Sequence, residues 1–210
     1  MKTQNPKLKC EKGQGLLEAV IAIGIIVTGI VGTMNLTISN QTSSSDAQER
    51  LIAVNLAREG IEVVRNMRDT NWLSCEIVDS VLDCNNWDDS LSSGSDTIAA
   101  PLFDPETNSW SIDFTADSIS HNQARVWRTN SGDPEFIGAM FQSADTTPTN
   151  AELTWYRRII ELYSICDDKT VVPSCGVDEK IGIRVQSIVS WESRGKLLEI
   201  KAEERLFNWR

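Results

Sequence analysis

From Leu16 to Ile38 the chain reads LLEAVIAIGIIVTGIVGTMNLTI, and no charged residue occurs between Ala19 and Ser45. As a helix that first run would be ~34 Å long, enough to cross a hydrocarbon core of ~30 Å. Beyond Ser45 the pattern changes. Ala47, Leu51, Val54, Ala57, Ile61, Val64 and Met67 recur at steps of three and four, and Ile52, Leu56 and Val63 widen the stripe. The two patterns join without a helix-breaking signal, so one continuous helix is predicted from about Leu16 to Arg68, ~80 Å long. Its first half is apolar all round and its second half is amphipathic. Arg58 with Glu62 and Arg65 with Asp69 are spaced as i,i+4 pairs on the wetter side. Glycines 24, 29, 32 and 60 each cost about 1 kcal/mol in a helix, and we read them as sites of close packing.

Residues 74–150 are rich in Ser, Asp, Asn, Thr and Pro, with short apolar runs such as SWSIDFTA and ARVWR. That composition predicts short strands and long loops. From Glu152 the pattern sharpens. ELTWYRRIIELYSIC is apolar on both faces in places, as a central strand is. In IGIRVQSIVSW, Ile181, Ile183, Val185, Val189 and Trp191 share one face; after the turn ESRGK, Leu198, Ile200, Ala202 and Leu206 alternate with Glu199, Lys201, Glu203 and Arg205. These two runs predict an antiparallel hairpin half-buried against the N-terminal helix. The fold class is therefore α+β: a long N-terminal helix, membrane-spanning in its first half and amphipathic in its second, packed on a C-terminal antiparallel β-sheet.

Charge sets the orientation. Residues 1–13 carry Lys2, Lys7, Lys9 and Lys12 against Glu11, whereas the 210-residue chain as a whole has a net charge of −10. A lysine-rich flank before a single apolar span places the N-terminus in the cytoplasm and the remainder outside. The mean hydropathy of −0.24 excludes a polytopic membrane protein. The acidic bulk also makes nucleic acid an unexpected partner, with Arg125/Arg128 and Arg157/Arg158 the sole candidates for a basic patch.

Candidate chemistry is sparse. Cys10 lies on the cytoplasmic side; Cys75/Cys84 and Cys166/Cys175 each enclose eight residues and fall outside, where disulfides persist. Three connectivities are open, and local pairing is the simplest because each pair brackets a polar, turn-like loop. A four-cysteine metal site is the weaker reading: the spacing is not that of zinc, and His121 is the sole histidine. A triad through His121 would need Ser118 or Ser120 in a context the sequence does not offer. Asp79, Asp83, Asp88, Asp89 and Asp96 form an acidic stretch without EF-hand spacing, so we assign no metal and no cofactor. Tryptophans 72, 87, 110, 127, 155, 191 and 209 are read as core and sheet-edge anchors before an adhesive surface. No enzyme is expected.

One motif organises the N-terminus. A basic leader, then Gly13-Gln14-Gly15-Leu16-Leu17-Glu18 at the head of the apolar helix, resembles the prepilin signal of type IV pilins and type II secretion pseudopilins. The resemblance implies a pilin-like fold and cleavage of the Gly13–Gln14 bond by a prepilin peptidase on the cytoplasmic side. It also implies N-methylation of Gln14, and a role for Glu18 in meeting the freed amine of a neighbouring subunit and so fixing register. Gln14 stands where the family usually has Phe. The closing hairpin, ending in Asn-Trp, is similar to those of minor pilins and pseudopilins. On this reading residues 1–13 are a cleaved leader, 14–40 the membrane and filament-core half of the helix, 41–70 its amphipathic half, and 71–210 an extracytoplasmic β-rich domain. The expected partners are other pilin or pseudopilin subunits, prepilin peptidase, a platform protein, an assembly ATPase and the membrane. The chain would reside in the cytoplasmic membrane and then in an extracellular or periplasmic filament. The alternative is an uncleaved, single-pass anchored binding or adhesion domain.

Overall fold

The computed structural model describes residues 14–74, 76–78, 81–83, 86–105, 107–132 and 137–208. Among these residues one α-helix, α1 (Gln14–Leu73), precedes ten strands. They are β1 (Glu76–Val78), β2 (Val81–Asp83), β3 (Ile98–Asp104), β4 (Ser109–Asp113), β5 (Arg125–Thr129), β6 (Met140–Phe141), β7 (Ala151–Cys166), β8 (Val171–Val172), β9 (Lys180–Ser193) and β10 (Lys196–Phe207). The chain divides at Gln48/Glu49 into two compact units, and α1 contributes to both.

The first unit is helical from Gln14 onward and, as far as Ile38, apolar around its circumference. Thirteen large apolar side chains between Leu16 and Ile38 are each more than half exposed. Four threonines punctuate the helix without leaving an unmet hydroxyl. Thr28, Thr33, Thr37 and Thr42 donate to the carbonyls of Gly24, Ile30, Thr33 and Ser39 at 2.7–3.0 Å. This back-bonding lets a β-branched polar residue sit in an apolar setting. A segment within Gly15–Leu73 reaches a mean hydropathy of 2.2, so this helix is long and apolar enough to cross a membrane.

The second unit is an antiparallel sheet of eight strands, in the order β10-β9-β7-β3-β4, with β5 and β8 also on β7 and β6 on β5. Its centre is β7. One edge of β7 pairs with β9 from Arg157↔Ser190 to Cys166↔Lys180. Its other edge changes partner along its length: β5 near Ala151–Arg157, β3 at Ile160 and Glu161, and β8 at Ser164 and Ile165. A strand with neighbours on both edges is the central strand that the continuous apolar run foreshadows. β9 and β10 form the C-terminal hairpin, in register from Ser193↔Lys196 to Gly182↔Phe207. Arg194 (φ 51°) and Gly195 (φ 72°) make the two-residue turn, both in the left-handed region that such a turn demands.

Residues 49–73 of α1 cover one face of this sheet. Ile61 and Val64 pack with Ile160, Leu162, Ile183, Val185 and Leu206. One turn back, Ala53, Leu56 and Ala57 pack with Tyr156, Val189 and Trp191. Alternation explains the composition: even positions of β7 and odd positions of β9 face the helix. The opposite face is covered in part, where Ile159 and Ile188 meet Ala124 of the short 3-10 helix Asn122–Ala124. Gly60 marks the closest approach of helix to sheet: a Cβ there would stand 2.5 Å from Ser187 Oγ and 3.3 Å from Ile160 Cγ2.

The expected intrahelical pairs are rearranged. Arg65 bonds Glu62 and the inward-facing Glu204 of β10 rather than Asp69, which pairs with its neighbour Arg68. Tertiary packing supplies Arg65 with a carboxylate across the interface, and the local i,i+4 partner is displaced.

Candidate functional site

Chemistry-bearing groups occur in each unit, and each set is described within its own. In the first, Glu18 is the sole charged residue of α1 before Asp46 and lies exposed, at the fifth position of the helix. Gln14 begins α1; Gly13 lies outside the described residues. Gly24, Gly29 and Gly32 have nothing within 4 Å of where a Cβ would stand, so their surface is free to take a close neighbour. An apolar rod with one carboxylate near its head is unstable in water. Burying a single Val, Leu, Ile or Met side chain is worth about 1.5–3 kcal/mol, so thirteen of them demand lipid or protein around them.

Among the described residues of the second unit the largest fully buried side chain is that of Arg158. It occupies a helix-facing position of β7 between Tyr156 and Ile160 and is fully buried. Its Nη1 donates to the Leu56 carbonyl at 3.0 Å and to Glu59 Oε2 at 2.7 Å, and its Nε donates to Gln142 Oε1 at 2.6 Å. Gln142 is itself buried, and its Nε2 donates to the carbonyls of Gln123 and Arg158. Nη2 is buried without a hydrogen-bond partner. Burial lowers the Arg158 pKa, and the charge of Glu59 and its hydrogen bond oppose that shift. The cluster ties β7, the chain before it and α1 together at a point that hydrophobic patterning alone would fill with an aliphatic residue.

A second polar contact lies at the other end of this helix face. Tyr156 Oη donates to the Glu49 carbonyl at 3.2 Å, and Trp191 Nε1 donates to Glu49 Oε2 at 3.3 Å. The Tyr156 and Trp191 rings lie 6.2 Å apart. Burial is the main cause that raises the Tyr156 phenol above its usual range, and the Glu49 carboxylate adds to it.

Of the cysteines, Cys166 and Cys175 form a disulfide with Cα atoms 5.6 Å apart, closing the loop that carries β8. The proposed Cys75–Cys84 pair lies outside the described residues. Within the acidic stretch, Asp88 pairs with Lys180 at 2.6 Å and Asp89 Oδ1 accepts from the Ser90 amide; Asp79 and the side chain of Asp83 are outside the described residues. Among the described residues no group of three or more His, Cys, Asp or Glu is arranged to hold a metal. His121 Nδ1 accepts from the Gln123 amide, while Ser118 Oγ donates to Asp117. Of the four arginines that might have made a basic patch, Arg125 and Arg157 are cross-strand partners, but Arg157 donates to the carbonyls of Ile119 and Ser120, Arg128 pairs with Glu152 and Arg158 is buried.

The tryptophans divide. Trp87, Trp127 and Trp191 are buried and Trp72 packs on the core, whereas Trp155 is 79% exposed. Trp209 lies outside the described residues. Sequence reading missed the Arg158–Glu59–Gln142 cluster, although a signal was present: an arginine interrupts the apolar positions of β7 on the side that faces the helix.

No protein-family model, no curated protein and no solved structure matches this chain.

Proposed function

We propose that this chain is a structural subunit, a minor pilin or pseudopilin, of a type IV pilus-like or type II secretion-like filament. The observation that carries the reading is Glu18: a single carboxylate at the head of an exposed apolar helix that bears no other charge before Asp46. A lone carboxylate in lipid costs several kcal/mol unless it protonates, snorkels or finds a cation. A neighbouring subunit's freed α-amine is such a cation, and cleavage after Gly13 would create one on every copy. The exposed helical surface then exchanges lipid for the helices of other subunits, with Gly24, Gly29 and Gly32 allowing close approach. Hydroxyls already bonded to the helix backbone need no new partner during that exchange. The partners on this reading are other pilins or pseudopilins, prepilin peptidase, platform protein and ATPase.

Co-expression with an active prepilin peptidase, followed by intact-mass measurement, tests it. Loss of residues 1–13 is expected, with methylation of Gln14 visible as one added methyl group. An unshifted mass beside a correctly processed control substrate favours an uncleaved, anchored binding domain.

A further inference from the structure

An open cleft of about 640 Å³ lies in the second unit among the β3–β4 hairpin, the β5–β6 pair and Glu59 of α1. That volume is within the range of small-ligand sites. Phe103 of β3 and Trp110 of β4 form one aromatic surface, with ring centroids 5.1 Å apart and planes tilted by 49°. Asn108, Thr129, Ser131, Thr149 and Asn150 supply amides and hydroxyls. Asn108 (φ 51°) and Asn150 (φ 60°) both hold left-handed backbone, and Ser131 Oγ donates to Asn150 Oδ1 at 2.9 Å. A second hollow of about 450 Å³ shares Phe103, Pro105, Phe141 and Thr149 with the first, so the two adjoin.

Charge narrows the ligand. Among the described residues no Lys or Arg lines either hollow, and Asp104 and Asp145 line the second, which disfavours an anion. Among the described residues the one carboxylate of the first is Glu59, which is already paired with Arg158, so a cation gains little there. What fits is an uncharged molecule with an apolar C–H face and a rim of hydroxyls. We propose that the cleft binds a neutral saccharide, one ring resting on Trp110 with its hydroxyls on Asn108, Asn150 and Ser131, and the next ring of the chain in the adjoining hollow. The proposal is independent of filament assembly, since none of these residues belongs to the first unit.

The test is a printed array of neutral and acidic glycans probed with the full chain in phosphocholine micelles, because glycoside detergents would compete. Isothermal titration on retained glycans follows. Saturable binding of a neutral glycan is expected, weakened at least ~10-fold by Trp110→Ala and largely kept by Trp110→Phe. Asn108→Gly removes an amide while relieving the left-handed backbone; it keeps the test open if Trp110→Ala does not fold, and should weaken binding by about fivefold. Retention of no neutral glycan, preference for acidic ones, or binding indifferent to both substitutions overturns the proposal. So does protection of Trp110 by an added hydrophobic decapeptide alone.

Discussion

Arg158 of β7 reaches the helix that covers it and bonds both the Leu56 carbonyl and the Glu59 carboxylate, the latter at 2.7 Å. The pair is asymmetric, because Arg158 has no exposed surface while the Glu59 side chain is 36% exposed. Removing the carboxylate leaves a buried cation with less to neutralise it. Glu59→Ala should lower the unfolding free energy by about 2–4 kcal/mol, somewhat under the usual cost of breaking a fully buried pair. Adding Arg158→Met to that variant should restore part of the loss: an aliphatic chain of similar size needs no counter-charge, but the buried Gln142 Oε1 then lacks its donor, at a cost of about 1–3 kcal/mol. Denaturant titration of the three variants in micelles measures both effects.

Gly60 and Ser187 give a second test. Alanine at 60 favours the helix by about 1 kcal/mol, yet its Cβ would stand 2.5 Å from Ser187 Oγ. Steric cost should win, making Gly60→Ala destabilising by about 1–2 kcal/mol net. The Ser187 hydroxyl is buried with no partner, so Ser187→Ala should be neutral or stabilising alone. Combined, the two changes should be less harmful than their sum, although Ser187 Cβ at 3.2 Å keeps part of the clash. A double-mutant cycle on melting midpoints reads that coupling.

The raised Tyr156 phenol sets an alkaline limit. Its folded pKa exceeds the unfolded value of about 10, so above that pH the unfolded chain binds fewer protons than the folded one. Stability from this group is present below pH ~10 and falls as pH rises further, until the folded phenol itself ionises. Tyr156→Phe should lose about 1 kcal/mol at neutral pH, with the bond to the Glu49 carbonyl, and should show a shallower decline above pH ~10. Ultraviolet titration of tyrosinate in the two proteins, with Tyr163 as the common second group, provides the comparison.

For assembly, Glu18→Ala should leave membrane insertion unchanged, because it makes the span more apolar. Incorporation into sheared filaments should fall to background. Normal incorporation of this variant would remove the register role proposed for that carboxylate.

Legibility followed the length of the pattern. The helix, the central strand around Ile159 and Ile160, and the closing hairpin were all readable, because each repeats one periodicity over ten or more residues. The sequence-based reading of 74–150 stayed coarse because its strands are short and their partners distant: β3 meets β7 through Ile98 and Ala99, some sixty residues away. The pairing of Arg65 was misread for a related reason. Spacing along α1 offered Asp69, but Glu204 lies 139 residues further on and is brought there by the fold. Arg158 was visible as an anomaly, and its meaning needed the positions of Glu59 and Gln142.

The core of the second unit is closed by the two ends of its own chain, with Ile61 and Val64 meeting Leu206. Contacts so distant in sequence carry a large loop-closure penalty and form late. During synthesis the part of that helix face which Leu206 covers therefore waits until β10 itself has emerged. Loss of β10 would strip Leu206 from that face and turn β9 into an unpaired sheet edge, a template for aggregation.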